Sequence, residues 1–230
     1  MDRAVILLSG GMDSSTLLFY VKRTLGVSGL HALSFVYGQK HARELAMARW
    51  QAEAAGVERH VEWVLSFPEG MADGSALTAP GLAVPDLAAI PESERRQPIT
   101  YVPNRNMMFL SLAAAYAEAH GMVDVFYGAQ TQDQYGYWDC TTDFVGKIND
   151  TLALNRKRPV RVHAPFAAMD KAEIVKRGQA LGVDYGRTWS CYRGGEQPCG
   201  TCPSCVERDR ALDGKQIVKQ RKEEHESAFA

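Results

Sequence analysis

The stretch from Ala4 to Leu18 constrains the fold of this chain more than any other. It reads Ala-Val-Ile-Leu-Leu-Ser-Gly-Gly-Met-Asp-Ser-Ser-Thr-Leu-Leu, an apolar run that breaks at Ser9-Gly10-Gly11 and resumes as a helical pattern from Ser14. This order predicts a buried strand, a glycine loop and a helix. Glycines let the backbone turn tightly and approach a ligand closely, and a helix N-terminus attracts anions. We therefore expect a phosphate-binding loop.

This loop differs from two common nucleotide-binding motifs. It lacks the Gly-Lys-Ser/Thr of a Walker A sequence and the G-x-G-x-x-G of dinucleotide-binding folds. An ordinary strand-to-helix turn also uses Gly, Asp and Ser, so that alternative stays open. An acidic residue in a phosphate loop would repel the ligand by itself. Asp13 is explained if a Mg²⁺ ion lies between its carboxylate and the phosphates.

Composition limits the size and the partners of the protein. Its 230 residues, 46% of them hydrophobic, can bury one sizeable core, so we expect a main domain at 1–188 and a small segment at 189–230. The formal net charge of −1 provides no basic surface, which argues against nucleic-acid binding and favours a small ligand. No apolar run is long enough to span a bilayer and no signal peptide precedes the first strand, so we expect a cytoplasmic protein without a membrane segment.

Strand-like and helix-like patterns alternate along the chain. Further strands are predicted at 30–37, 61–65, 123–128 and 160–165, with helices between them. This alternation predicts an α/β fold with a doubly wound parallel sheet, whose ligands bind at the carboxyl ends of the strands. Residues 67–98 are rich in proline and follow neither period, so they are either a lid over the site or a disordered loop.

Polar residues stand at the predicted strand ends and helix starts. Arg105 begins a helix that Asn104 can cap, and its planar guanidinium suits a carboxylate or a phosphate. Lys171 lies in the first turn of another helix, where a cation gains nothing from the helix dipole. Two alternatives therefore stay open: Lys171 contacts phosphates, or it is an exposed surface lysine. Aromatic and acidic residues between 129 and 143 provide ring faces and hydrogen bonds for a flat heterocycle, and the candidates are Asp133, Tyr137 and Asp139.

Four of the five cysteines are clustered near the C-terminus. Their spacing is Cys191-x7-Cys199-x2-Cys202-x2-Cys205, which favours a metal site over a disulfide framework. Four thiolates can surround one tetrahedral Zn²⁺ ion, and such a closed shell leaves no position for substrate, so we expect a structural role. An iron–sulfur cluster and the thiols of a sulfur-transfer enzyme are the alternatives.

The string Ser9-Gly-Gly-Met-Asp-Ser14 resembles the PP-loop of the ATP pyrophosphatases, which cleave ATP between its α and β phosphates. Together with 102–106, 137–141, 170–174 and the cysteine segment, the chain resembles the 7-cyano-7-deazaguanine synthase family of that superfamily over almost its whole length. The resemblance implies a Rossmann-like sheet of the adenine nucleotide alpha-hydrolase type. It also implies site residues: Leu8, Ser9, Gly10, Gly11, Met12, Asp13, Ser14 and Ser15 for ATP; Arg105, Asp133, Tyr137 and Asp139 for the substrate; Asp13, Arg105 and Lys171 for catalysis; and Cys191, Cys199, Cys202 and Cys205 for zinc.

The implied reaction converts 7-carboxy-7-deazaguanine and ammonia into the nitrile 7-cyano-7-deazaguanine (preQ0), using ATP and Mg²⁺, in queuosine biosynthesis. An adenylated carboxylate and an amide are its intermediates. Trp138 and Thr142-Asp143 differ from the residues usual in the family, so a related ligase with another amine acceptor, even one on a protein, is the alternative. A further alternative is a nucleotide-binding zinc protein without catalysis. A homodimer is also possible from the sequence.

Overall fold

The computed structural model describes residues 1–40, 43–94, 97–131 and 136–214. Strands and helices alternate through most of it, in the order β1 Arg3–Leu7, α1 Met12–Arg23, β2 Gly29–Val36, α2 Arg43–Ala54, β3 Arg59–Val64, α3 Arg105–Ala119, β4 Asp124–Phe126, α4 Thr142–Leu152, β5 Arg161–His163, α5 Lys171–Ala180 and α6 Pro203–Leu212. Short 3-10 turns lie at Leu87–Ala89, Glu92–Glu94, Trp138–Cys140 and Tyr185–Arg187. In this part of the chain no helix is both long enough and apolar enough to cross a membrane.

The strands form one parallel sheet in the order β3-β2-β1-β4-β5. β1 is central, and its Val5 pairs with His31 of β2 on one side and with Val125 of β4 on the other. The chain places β2 and β3 on one side of β1, and β4 and β5 on the other. This switch opens a crevice at the carboxyl ends of β1 and β4. The predicted doubly wound parallel sheet is confirmed.

Helices cover both faces of the sheet, and β1 contributes to the core on each side. Ile6 packs in a cluster with Leu17 of α1 and Ile174 of α5, whereas Val5 packs in the opposite cluster with Leu110 of α3. Successive strand residues point to opposite faces, so a strand buried on both sides must be apolar throughout. This requirement explains the unbroken apolar run from Ala4 to Leu8.

The proline-rich segment 67–98 packs against the cysteine segment. Ala76 and Val84 lie in one buried cluster with Trp189 and three of the cysteines. The N–H of Leu87 donates to the carbonyl of Thr201 at 2.9 Å, which ties the two segments together. Whether residues 67–98 also close over the site stays a prediction, as does the division into 1–188 and 189–230. The charged residues 209–230 predict a C-terminal helix, and this stays a prediction, because α6 ends at Leu212 and residues 215–230 lie outside the described ranges.

Candidate functional site

The loop between β1 and α1 passes so close to α2 that only glycine fits at its centre. Gly10 has a φ of +85°, and a Cβ atom there would lie 2.2 Å from the carbonyl oxygen of Glu44 and 2.7 Å from the nitrogen of Ala48. Its carbonyl accepts the N–H of Trp189 at 3.0 Å. Gly10 therefore joins the phosphate loop to both α2 and the start of the cysteine segment.

Serine hydroxyls hold the loop in shape. Ser14 Oγ accepts the N–H of Ser9 at 3.2 Å and lies 3.0 Å from Ser9 Oγ, which in turn accepts the N–H of Gly11 at 3.2 Å. Gly11 precedes the first residue of α1 and has no side chain with which to cap the helix. The positive end of the helix dipole therefore lies at the loop without a side-chain cap, as an anion-binding site requires.

Three charged side chains meet beside this loop. Lys171 Nζ lies 3.1 Å from Glu207 Oε2 and 3.6 Å from Asp13 Oδ2. Asp13 Oδ1 is buried and has no hydrogen-bond partner among the described residues. Burial raises the pKa of Asp13, although the nearby Lys171 opposes that effect. A buried carboxylate oxygen without a partner suits a divalent cation with oxygen ligands, so the residues present fit such an ion.

The start of α5 determines where the Lys171 side chain points. Asp170 accepts the N–H of Glu173 at 2.8 Å, and the Glu173 side chain accepts the N–H of Asp170 at 2.8 Å, a reciprocal capping box. Lys171 follows directly, and its side chain is only 9% exposed. The alternative of an exposed surface lysine is therefore wrong.

Arg105 lies at the other end of the site, at the first position of α3. Its Nη1 donates to the hydroxyl of Tyr37 at 3.2 Å. The next residue, Asn106, donates its backbone N–H to Asp139 Oδ2 at 3.1 Å, so a carboxylate from another segment caps the helix. Asn104 occupies the N-cap position but makes no side-chain cap bond, which corrects the expectation that its side chain would do so.

The aromatic segment lies next to Arg105. Tyr137 lines the cavity, and its hydroxyl lies 2.7 Å from Thr100 Oγ1. Asp139 is buried, and burial raises the pKa of its carboxyl, while the N–H of Asn106 opposes the rise. The described cavity lining includes Asn106 but not Asp139, so direct contact of Asp139 with a substrate stays a prediction. Asp133 lies outside the described residues.

One cavity of about 240 Å³ connects the phosphate loop with Arg105. The predicted residues that line it are Leu8, Ser9, Gly11, Met12, Asp13, Ser14, Arg105, Tyr137 and Lys171, whereas Gly10 and Ser15 lie outside its lining. It also has lining residues that the sequence did not single out as site residues, among them Gln39, Phe109, Tyr192, Ser204 and Glu207. Glu207 stands in a charged stretch, and nothing in its spacing distinguishes it from an exposed helical residue.

The four clustered cysteines converge on one point. Their sulfur atoms all lie within 4.8 Å of one another, and Cys199 Sγ is 3.9 Å from Cys205 Sγ. Four sulfurs at about 2.3 Å from one tetrahedral ion would be about 3.8 Å apart. The backbone N–H groups of Cys199 and Cys202 donate to cluster sulfurs at 3.4 and 3.3 Å, which stabilises thiolates. The cluster therefore fits a single metal ion, and its four cysteines are free thiols, not disulfides.

Comparison with known proteins places the chain among relatives of one kind. The family model described as queuosine biosynthesis protein QueC matches residues 3–216. Proteins named 7-cyano-7-deazaguanine synthase from Archaeoglobus fulgidus and Frankia casuarinae are each 46% identical, over 91% of this chain and 85% and 89% of their own lengths. The NMN synthetase of Francisella tularensis shares the fold, with a TM-score of 0.51 and 17% identity over 96% of this chain and 80% of its own. The chain therefore belongs to the queuosine biosynthesis protein QueC family.

Proposed function

We propose that this protein is an ATP-dependent carbon–nitrogen ligase that makes 7-cyano-7-deazaguanine (preQ0) from 7-carboxy-7-deazaguanine and ammonia, for queuosine biosynthesis. The observation that carries the proposal is the single cavity in which a phosphate loop and Arg105 face the same space, in a chain of this family. An enzyme that activates a carboxylate with ATP must bring the carboxylate and the α-phosphorus together in this way.

The phosphate loop and Lys171 serve the ATP. Backbone N–H groups at the start of α1 bind phosphate oxygens, and Lys171 Nζ at the edge of the loop stabilises negative charge on the leaving pyrophosphate. The substrate carboxylate oxygen attacks the α-phosphorus, the bond to the bridging oxygen breaks, and pyrophosphate leaves with the electron pair. The product is an acyl adenylate, which the cavity protects from water.

Arg105 and Tyr137 serve the deazaguanine. The Arg105 guanidinium, held by the Tyr37 hydroxyl, pairs with the carboxylate before its activation, and the Tyr137 ring packs on the flat base. Ammonia then attacks the activated carbonyl, and AMP leaves with the formation of the amide. Adenylation of the amide oxygen by a second ATP, followed by loss of AMP and of the nitrogen protons, gives the nitrile.

Two metal ions complete the proposal. Asp13 holds Mg²⁺ through its unpaired oxygen, and the ion neutralises charge on the ATP phosphates when bound. The four cysteines hold Zn²⁺ in a structural role, since the close spacing of their sulfurs favours one ion over an iron–sulfur cluster, in which the cysteines are spread over two or four irons. Four unpaired thiols also suit the reducing cytoplasm, where we place the reaction. A homodimer stays a prediction.

The test is mass spectrometry of a reaction that contains the purified protein, ATP, Mg²⁺, ammonium and 7-carboxy-7-deazaguanine. We expect the nitrile to appear after the amide, with release of pyrophosphate. In the Asp13→Asn variant both products should fall by at least about a hundredfold, because the cation loses its ligand. Asp150→Asn, on the exposed end of α4, removes the same charge elsewhere and should behave like the wild type.

Two outcomes would contradict the proposal. If ATP is cleaved and neither amide nor nitrile forms, the enzyme activates the acid but uses a different amine, and other amines should be tried as acceptors. If ATP binds without any pyrophosphate release in the presence of the acid, the protein is a nucleotide-binding protein without this catalysis.

A further inference from the structure

Glu207 reaches the phosphate end of the cavity from a helix that begins at the cysteine cluster. Cys202 is the N-cap residue of α6, Cys205 lies in its first turn, and Glu207 follows two residues later. The Glu207 side chain lines the cavity. The cysteine segment therefore supplies one carboxylate to the same place where β1 and α1 supply Asp13.

Lys171 lies between these two carboxylates at unequal distances. Its Nζ donates to Glu207 Oε2 at 3.1 Å, but lies 3.6 Å from Asp13 Oδ2. One ammonium group cannot neutralise two ionised carboxylates, so the three side chains together keep one negative charge. That charge lies next to Asp13 Oδ1, a buried oxygen that has no hydrogen-bond partner in the described ranges.

We propose that Glu207 is a positioning residue that holds the Lys171 ammonium away from Asp13 and so keeps Asp13 available to the divalent cation that accompanies ATP. The inference rests on the proposed function of this site and adds a residue to it. Without the charge of Glu207, Lys171 and Asp13 would form a neutral pair, and the cation would have to displace the lysine. The expected consequence is weaker cation binding.

Three substitutions separate the charge of Glu207 from its shape. Glu207→Gln keeps the size and an acceptor oxygen but removes the charge, whereas Glu207→Asp keeps the charge on a shorter side chain. Asp209→Asn is the matched control, because it removes a carboxylate from the exposed side of the same helix. For each protein, calorimetric titration with the α,β-methylene analogue of ATP at a series of Mg²⁺ concentrations gives the Mg²⁺ concentration for half-maximal binding.

We expect Glu207→Gln to need about tenfold more Mg²⁺ than the wild type, because one unit charge near the cation is removed. Glu207→Asp should lie closer to the wild type than Glu207→Gln, and Asp209→Asn should match the wild type. The metal content of the cysteine cluster and the melting temperature are measured for every variant.

An unchanged Mg²⁺ requirement in Glu207→Gln, or an equal shift in Asp209→Asn, would overturn the inference. So would loss of the cysteine-bound metal in Glu207→Gln, because the effect would then come from folding. If Glu207→Gln does not fold, the Mg²⁺ requirement of Glu207→Asp is the test. Glu207→Asp keeps the negative charge, so a Mg²⁺ requirement as high as that of Asp13→Asn would contradict the proposal that the charge matters. The binding titration contains no deazaguanine, so it tests Glu207 even if the wild type forms no nitrile.

Discussion

Asp139 caps the helix that carries Arg105, although the two residues belong to different segments. Its Oδ2 accepts the backbone N–H of Asn106, which is 33 residues away in the chain, at 3.1 Å. A side-chain acceptor at a helix N-terminus satisfies a backbone donor and fixes the direction of the first turn. The position of the Arg105 guanidinium in the cavity therefore depends on a buried carboxylate outside α3.

Asp139→Ala should lower the free energy of unfolding by about 1–2 kcal/mol, because Asn106 then has no side-chain cap. It should also raise KM for the deazaguanine more than KM for ATP, since Arg105 begins the same turn. Urea denaturation and steady-state kinetics measure the two effects. Asp139→Asn keeps an acceptor oxygen and avoids the cost of a buried charge, so it should stay close to the wild type in stability.

Asp143→Ala is the control for this pair, because its carboxylate lies on the exposed surface and pairs only with the exposed Lys147 among the described residues. Its effect on stability should stay within about 0.5 kcal/mol. Equal losses in Asp139→Ala and Asp143→Ala would show that the cap contributes nothing.

Asp13→Asn should stabilise the protein in the absence of ATP and metal at neutral pH. Burial raises the pKa of Asp13 in the folded state, so the folded protein binds this proton more tightly than the unfolded chain does. Ionisation therefore costs stability, and the cost grows as the pH rises from the unfolded pKa to the folded one. The melting temperature of Asp13→Asn should exceed that of the wild type by a few degrees at pH 7 and approach it near pH 4.

Thermal melts across this pH range, with Asp150→Asn as the exposed control, measure the difference. A lower melting temperature of Asp13→Asn at pH 7 would mean that its attraction to Lys171 outweighs its burial. The Asp13→Asn variant should thus gain stability and lose ATP use, a trade-off typical of residues that serve function.

The sequence predicted most reliably the elements whose pattern is local. The run Ala4–Leu8 is apolar because both faces of the central strand are buried there, and Ser9-Gly10-Gly11 breaks it where the backbone turns. The spacing of the four cysteines likewise predicted their convergence. The parallel direction of the strands also followed from the rule that alternating strands and helices form a parallel sheet.

Contacts between distant segments could not be read from those patterns. The sequence does not decide whether Lys171 contacts phosphates or lies exposed on the surface. The burial of its side chain depends on Asp13 and Glu207, which belong to two other helices. Glu207 itself belongs to a stretch whose charge predicts an exposed helix. The sequence offers Asn104 as a cap of α3, since local residues are the usual caps, whereas the actual acceptor lies on Asp139.

Cys202→Ser should lose the bound metal and lower the melting temperature before it affects chemistry at the cavity. Cys202 is fully buried, and we expect its segment to need a metal ion because it has few apolar side chains of its own. Metal analysis of the purified protein should give about one zinc per wild-type chain. Cys140→Ser is the control, since Cys140 is buried but lies outside the cluster, and it should keep the zinc. A stable and active Cys202→Ser protein without zinc would contradict the structural role.

Gly10→Ala should damage both stability and ATP binding, because two separate constraints exclude a side chain there. The φ of +85° is strained for alanine, and the new Cβ would lie 2.2 Å from the carbonyl oxygen of Glu44, a backbone atom of α2 that cannot move away cheaply. We expect the free energy of unfolding to fall by at least about 2 kcal/mol. Urea denaturation measures this loss, and titration with the α,β-methylene analogue measures binding.

Gly146→Ala provides the contrast, since Gly146 lies within α4 and a Cβ atom there would have open space. Alanine at such a position should stabilise the helix by about 0.5–1 kcal/mol and leave ATP binding unchanged. If Gly10→Ala were as stable as the wild type and bound the analogue equally well, the loop would have to move away from α2. The close contact between Gly10 and Glu44 would then not determine the shape of the phosphate site.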